Sequence, residues 1–101
     1  PLFGSKNILV ERFDFIGASG DILRMTLREE QSGTFLSAIR FDGKEDFLLR
    51  LKELYSPENY DKIMMSGKVP MPMDFVYSID VNTYNGRNSV QLMLKDFRWS
   101  K

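Results

Sequence analysis

Apolar residues recur along the chain with a period of two in several short stretches and with a helical period in one longer one. Ile22 to Glu29 alternates most cleanly. Leu23, Met25 and Leu27 fall on one side and Arg24, Thr26 and Arg28 on the other, which predicts a half-buried strand. The preceding stretch, Asn7 to Ile16, changes phase: Ile8 and Val10 share one parity, Phe13 and Phe15 the other. A β-bulge near Glu11-Arg12 would return all four to one face. After the turn signal Gln31-Ser32-Gly33, Thr34 to Phe41 is rich in strand formers but apolar on both parities, so its inward side stays open.

Asn85-Gly86 is the strongest local signal, because a two-residue type I′ turn needs positive φ at both positions. Such a turn sets the register of the strands on either side. Tyr84 faces Arg87, Asn82 faces Ser89, Val81 faces Val90, Asp80 faces Gln91, Ile79 faces Leu92, Ser78 faces Met93, Tyr77 faces Leu94 and Val76 faces Lys95. One face of this hairpin then carries Tyr77, Ile79, Val81, Val90, Leu92 and Leu94, and is expected to be buried.

Between the third and fourth strands, Phe47, Leu48, Leu51, Leu54 and Tyr55 form a helical stripe over Lys44 to Tyr55. Asp42 and Glu45 resemble a capping box at its start. Pro57 to Met65 reads as a second short helix, and Lys68 to Met73, with Pro70 and Pro72, as an extended connector. Three strands, a helix and two strands are the element order of an OB-fold. The expectation is a mainly β, five-stranded, partly open Greek-key barrel with a helix between strands three and four. At 101 residues the chain is read as a single OB-fold domain, residues 1–101.

Composition narrows the chemistry. Cysteine and histidine are both absent, which removes thiolate nucleophiles, His-based triads and the usual zinc ligands. Asp42, Glu45 and Asp46 belong at a helix start, and the methionines Met64, Met65, Met71, Met73 and Met93 read as pliable packing rather than a metal site. An enzyme acting alone is therefore the weakest reading. The absence of cysteine, of a long apolar run and of a basic leader leads us to expect a soluble, cytoplasmic domain with no membrane or small-molecule partner. The chain opens on Pro1-Leu2-Phe3 without an initiator Met, as a processed product or a piece of a longer protein would.

Fourteen basic and fourteen acidic residues cancel, so no global field draws nucleic acid in. The distribution is less even. From Tyr84 to Lys101, Arg87, Lys95, Arg98 and Lys101 face only Asp96, a local balance of +3 that leaves the remainder at −3. An OB-fold takes single strands across strands two and three, between the loops joining strands one to two and four to five. Arg24 and Arg28 on the outer side of strand two, Tyr84 and Arg87 at the hairpin tip, and Arg98 and Trp99 near the end are the candidate nucleic-acid-binding residues. On these positions alone, solvated surface residues and a strand-binding site are equally good readings.

The segment Tyr84-Asn85-Gly86-Arg87-Asn88-Ser89-Val90-Gln91-Leu92-Met93-Leu94-Lys95-Asp96-Phe97-Arg98 resembles the end of the C-terminal OB domain of RecJ-type single-stranded-DNA-specific exonucleases. Pro1-Leu2-Phe3 is similar to that family's lead-in, Leu23-Arg24-Met25-Thr26-Leu27 to its second strand and Ala38-Ile39-Arg40-Phe41 to its third. The stretch from Tyr55 to Met73 is longer than the family's usual link. The resemblance implies a non-catalytic domain, excised from a larger multidomain 5′-to-3′ exonuclease of recombination and repair, that contacts single-stranded DNA. The manganese or magnesium of that family sits in upstream nuclease domains, so no cofactor is expected in this one, and those domains are expected partners. A structural or protein-interaction role, with the apolar surface packed on the nuclease core or a repair partner, is the alternative.

Overall fold

The computed structural model describes every residue, Pro1–Lys101. Its elements are β1 (Phe3–Ile16), β2 (Ile22–Glu29), β3 (Phe35–Arg40), α1 (Lys44–Leu54), α2 (Pro57–Ser66), β4 (Met73–Tyr84) and β5 (Arg87–Trp99). The strands form one barrel in the order β1-β2-β3-β5-β4, mainly β as the alternation predicts. Where a partly open barrel was expected, the ring closes: β1 pairs with β2 from Ile8 to Ile16 and with β4 from Phe3 to Ile8. A bend at Asn7 allows both pairings. Asn7 adopts a left-handed φ of 58°, tolerable for Asn, and its N–H donates to Asp74 Oδ1 at 3.0 Å.

The β1 bulge is present. Val10 lies opposite Leu27 and Arg12 opposite Thr26, so Glu11 is the extra residue. Ile8, Val10 and Phe13 are thereby buried, and Phe15 packs against their cluster. The hairpin register is as expected from Tyr84 and Arg87 down to Tyr77 and Leu94. The next pair differs: Val76 lies opposite Asp96, not Lys95. Lys95 is a second bulge residue, and its insertion keeps Leu92, Leu94 and Phe97 all inside the barrel.

The apolar face of that hairpin is buried only near its base. Leu92 and Leu94 are in the core, whereas Ile79, Val81 and Val90 are 45%, 57% and 50% exposed. β1 pairs with β4 no further than Tyr77, and β3 pairs with β5 only at Gln91 to Met93. Beyond those points two strands continue as an arm with nothing beneath them.

The second helix forms as expected, with the Ser56 hydroxyl accepting from Asn59 N–H at 3.2 Å and Gly67 closing it in the left-handed conformation. The Asp42 cap does not form. Gly43 is the residue before the first turn, and no side chain caps it. Asp42 instead takes a φ of 54° in the turn that drops the chain from β3 into α1. A Cβ on Gly43 would lie 3.0 Å from Leu23 Cβ and 3.1 Å from Arg40 O, so the helix enters too close to the barrel for a side chain there. From this entry α1 sets Phe47 and Leu51 into the core.

Candidate nucleic-acid interface

The pairing of β2 with β3 decides which residues share the outer surface. Leu27 lies opposite Leu36 and Met25 opposite Ala38 on the inner side. Arg28 therefore faces Phe35, Thr26 faces Ser37 and Arg24 faces Ile39 on the outer side. On the neighbouring strand, Asp14 lies opposite Arg24 and Arg12 opposite Thr26. Arg12, Asp14, Arg24, Thr26 and Ser37 line a shallow cavity of about 250 Å³ on this face.

Both arginines of β2 are ion-paired. Arg24 makes a two-pronged contact with Asp14, its Nε lying 2.8 Å from Oδ1. Arg28 Nε donates to Glu11 Oε1 at 2.6 Å, and Lys68 Nζ stands 3.4 Å from Glu11 Oε2. Arg12 has no ion-pair partner. The hydrogen bond from Arg24 holds the Asp14 carboxyl below its ordinary range against an opposing effect of burial. The hydrogen bond from Arg28 lowers Glu11 in the same way, with Lys68 adding to it.

At the hairpin tip Tyr84 is 78% exposed and opposite Arg87, with Asn85 and Gly86 both at positive φ as a type I′ turn requires. The parallel pairing of β3 with β5 brings this tip to the same end of the barrel as Phe35 and the β2–β3 turn. Arg24 lies toward the other end, beside the β1–β2 turn.

Arg98 and Trp99 are elsewhere. Arg98 Nε contacts Asp74 Oδ2 at 3.1 Å, on the side where β1, β4 and β5 border a larger cavity of about 390 Å³. The Trp99 indole is half-buried, stands edge-on to Tyr55 at 5.6 Å and donates to the Arg50 carbonyl at 3.2 Å. Its position ties the chain end to α1. Of the six candidates, Arg24 and Arg28 thus lie on the outer side of β2 and Tyr84 and Arg87 at the hairpin tip toward the Phe35 end, whereas Arg98 and Trp99 lie on another side.

Asp74 carries an acid-stability prediction. A hydrogen bond from the Ser100 hydroxyl lowers its pKa most, with the Asn7 N–H and Arg98 adding to it and burial opposing. A carboxyl depressed in the folded state contributes stability that is complete above its unfolded pKa and lost as pH falls through the folded value. We expect the melting temperature to change little down to about pH 5 and to drop below about pH 4. Asp14 and Glu11, lowered in the same way, share that limb, so Asp74→Asn should make it shallower without abolishing it; equal acid slopes for variant and parent would show that Asp74 does not contribute.

The sequence matches the family profile described as the RecJ OB domain over residues 1–96. The chain belongs to the RecJ OB domain family. No curated protein matches it in sequence. Among solved structures, this RecJ OB domain is similar to the mitochondrial single-stranded-DNA-binding protein Rim1 of S. cerevisiae, with a TM-score of 0.60 over 98% of this chain and 94% of that one. Identity between the two is 12%, so the likeness speaks for the shared barrel.

Two outer-face residues of this RecJ OB domain, Phe35 and Arg12, are not legible in the alternation. Phe35 is 60% exposed and directly opposite Arg28. Its signal was an aromatic in a strand with no polar face, which is unreadable until the partner strand assigns the inside. Arg12 was hidden by the bulge, since the phase change makes its parity ambiguous. No helix is long and apolar enough to cross a membrane.

Proposed function

We propose that this domain binds single-stranded DNA without cutting it and guides the strand toward the metal-dependent active site of a RecJ-like 5′-to-3′ exonuclease. In this reading the parent enzyme works in recombination and repair in the cytoplasm, and its upstream nuclease domains supply the catalysis. The observation that carries the proposal is Phe35 standing exposed across from Arg28. An aromatic face beside a guanidinium offers a base a stacking platform and its phosphate a charge, and each stacked base contributes about 1–3 kcal/mol. Tyr84 with Arg87 repeats the combination at the tip. Local pairs of this kind do not require a positive protein, which fits the neutral net charge.

Family membership supports the reading, as does the likeness to a protein named for single-stranded-DNA binding. Fluorescence anisotropy of a labelled oligothymidine, titrated with the domain at low and high salt, tests it. Binding should weaken steeply with salt, because phosphate contacts release counterions, and should exceed binding to a duplex of equal length. No binding at low salt would reject the proposal.

A second reading, a docking domain that packs on its neighbours, is favoured by one feature. The arm residues Ile79, Val81 and Val90 expose a continuous apolar strip. That reading would take over if the oligonucleotide did not bind.

A further inference from the structure

The connection between α2 and β4 delivers a cation to the outer face. Gly67 O accepts from Phe13 N–H at 2.8 Å, and Val69 N–H donates to Val10 O at 3.1 Å. These two bonds grip β1 on either side of its bulge and fix the backbone of Lys68 between them. The approach is close: a Cβ on Gly67 would stand 3.1 Å from Phe13 O, and Gly67 already has a φ of +70°. Lys68 keeps its side chain 60% exposed while its main chain is pinned.

Glu11, the extra residue of the bulge, reaches both Arg28 and Lys68 with its two carboxylate oxygens, at 2.6 and 3.4 Å. One anion thus bridges two cations that come from different elements, leaving a net positive charge. Glu11 and Arg28 are partly buried while Lys68 is largely exposed, and a pair to an exposed side chain contributes only about 0–1 kcal/mol to stability, so folding gives little reason for the second cation. A carboxylate and a phosphate offer paired oxygens to cations in similar geometry. Phe35, exposed and directly across from Arg28, offers a ring for the base next to such a phosphate to stack on.

We propose that Arg28 and Lys68 jointly hold one phosphate of a bound strand, and that Glu11 occupies the phosphate position while the domain is free. This rests on the reading that the outer face binds single-stranded DNA. Glu11 swings into solvent when the strand arrives, and the exchange sets affinity: the domain holds the strand less tightly than its two cations would allow. A guiding domain needs such moderate grip, since the strand must move on.

The test is a salt titration of oligothymidine binding by the parent domain and by Lys68→Ala, Glu11→Gln, the double variant and Arg24→Ala. Lys68→Ala, at an exposed side chain, should weaken binding roughly threefold and lower the slope of log K against log salt by about 0.7. Glu11→Gln should tighten binding several-fold, with its fold checked by thermal melting, and the gain should shrink in the double variant. Unchanged affinity and slope in Lys68→Ala, alongside weaker binding by Arg24→Ala, would overturn this proposal and leave the strand-binding reading standing. Weaker binding by folded Glu11→Gln would overturn the role given to Glu11. Absence of binding by the parent domain would overturn both readings together.

Discussion

Phe47→Ala should lower the free energy of unfolding by about 3–5 kcal/mol, a large share of what a domain of this size possesses. Phe47 is completely buried, and its ring stands edge-to-face with Phe13 at 4.9 Å and with Phe97 at 5.8 Å. It is the side chain by which α1 reaches rings on both β1 and β5. Removing it leaves a cavity that the barrel cannot collapse to fill, since the surrounding strands are held by their ladders. Urea unfolding should show a lower midpoint at an unchanged slope. A midpoint equal to that of the parent would mean that α1 is not seated in the barrel as described.

Phe35→Ala should weaken oligothymidine binding by about 1–3 kcal/mol, or roughly 5- to 150-fold, while leaving the melting temperature nearly unchanged. The ring is exposed, so little core packing is lost on truncation. Phe35→Leu would keep apolar area but remove the flat face, and should recover little of the affinity if stacking is the mechanism. Trp99→Ala provides the contrast. Its indole packs on Tyr55 and donates to the Arg50 carbonyl, so its removal should cost stability first. The opposite pattern, with Phe35→Ala neutral and a fully folded Trp99→Ala unable to bind, would move the interface to the side of Arg98 and Trp99.

The two bulges show how far alternation can be read. In β1 the phase change between Val10 and Phe13 announced an extra residue, because four large apolar side chains had to share one face. The break between Leu94 and Phe97 is the same signal in β5, yet alternation counted from the turn runs straight through it and puts Val76 one residue off, against Lys95 and not Asp96. The difference lies in the turn. Asn85-Gly86 sets pairing only near itself, and nothing local enforces it once a residue is inserted farther down.

Alternation identifies the apolar face of the hairpin but not how much of it is buried. A strand face is buried only where something packs against it, and the partners of β4 and β5 stop short of the tip. The same limit applied to the arginines. Alternation placed Arg24 and Arg28 outward, and could not reveal that Asp14 and Glu11 on the adjacent strand neutralise them. It also grouped Arg98 and Trp99 with the others because they are near the hairpin in sequence, although β5 carries them to the far end of the barrel.

What followed from the chain alone was local in origin: strand positions from period-two alternation, the hairpin register from a turn that demands positive φ, the β1 bulge from a phase change, and the family from motifs in order. Each depends on a few neighbouring residues and the backbone conformations open to them. Barrel closure through the bend at Asn7, the inward side of β3, the ion pairs on the outer face and the delivery of Lys68 to Glu11 depend on groups far apart in sequence. A side chain has no inside or outside until another strand lies against it, and those contacts exist only once the chain has closed on itself.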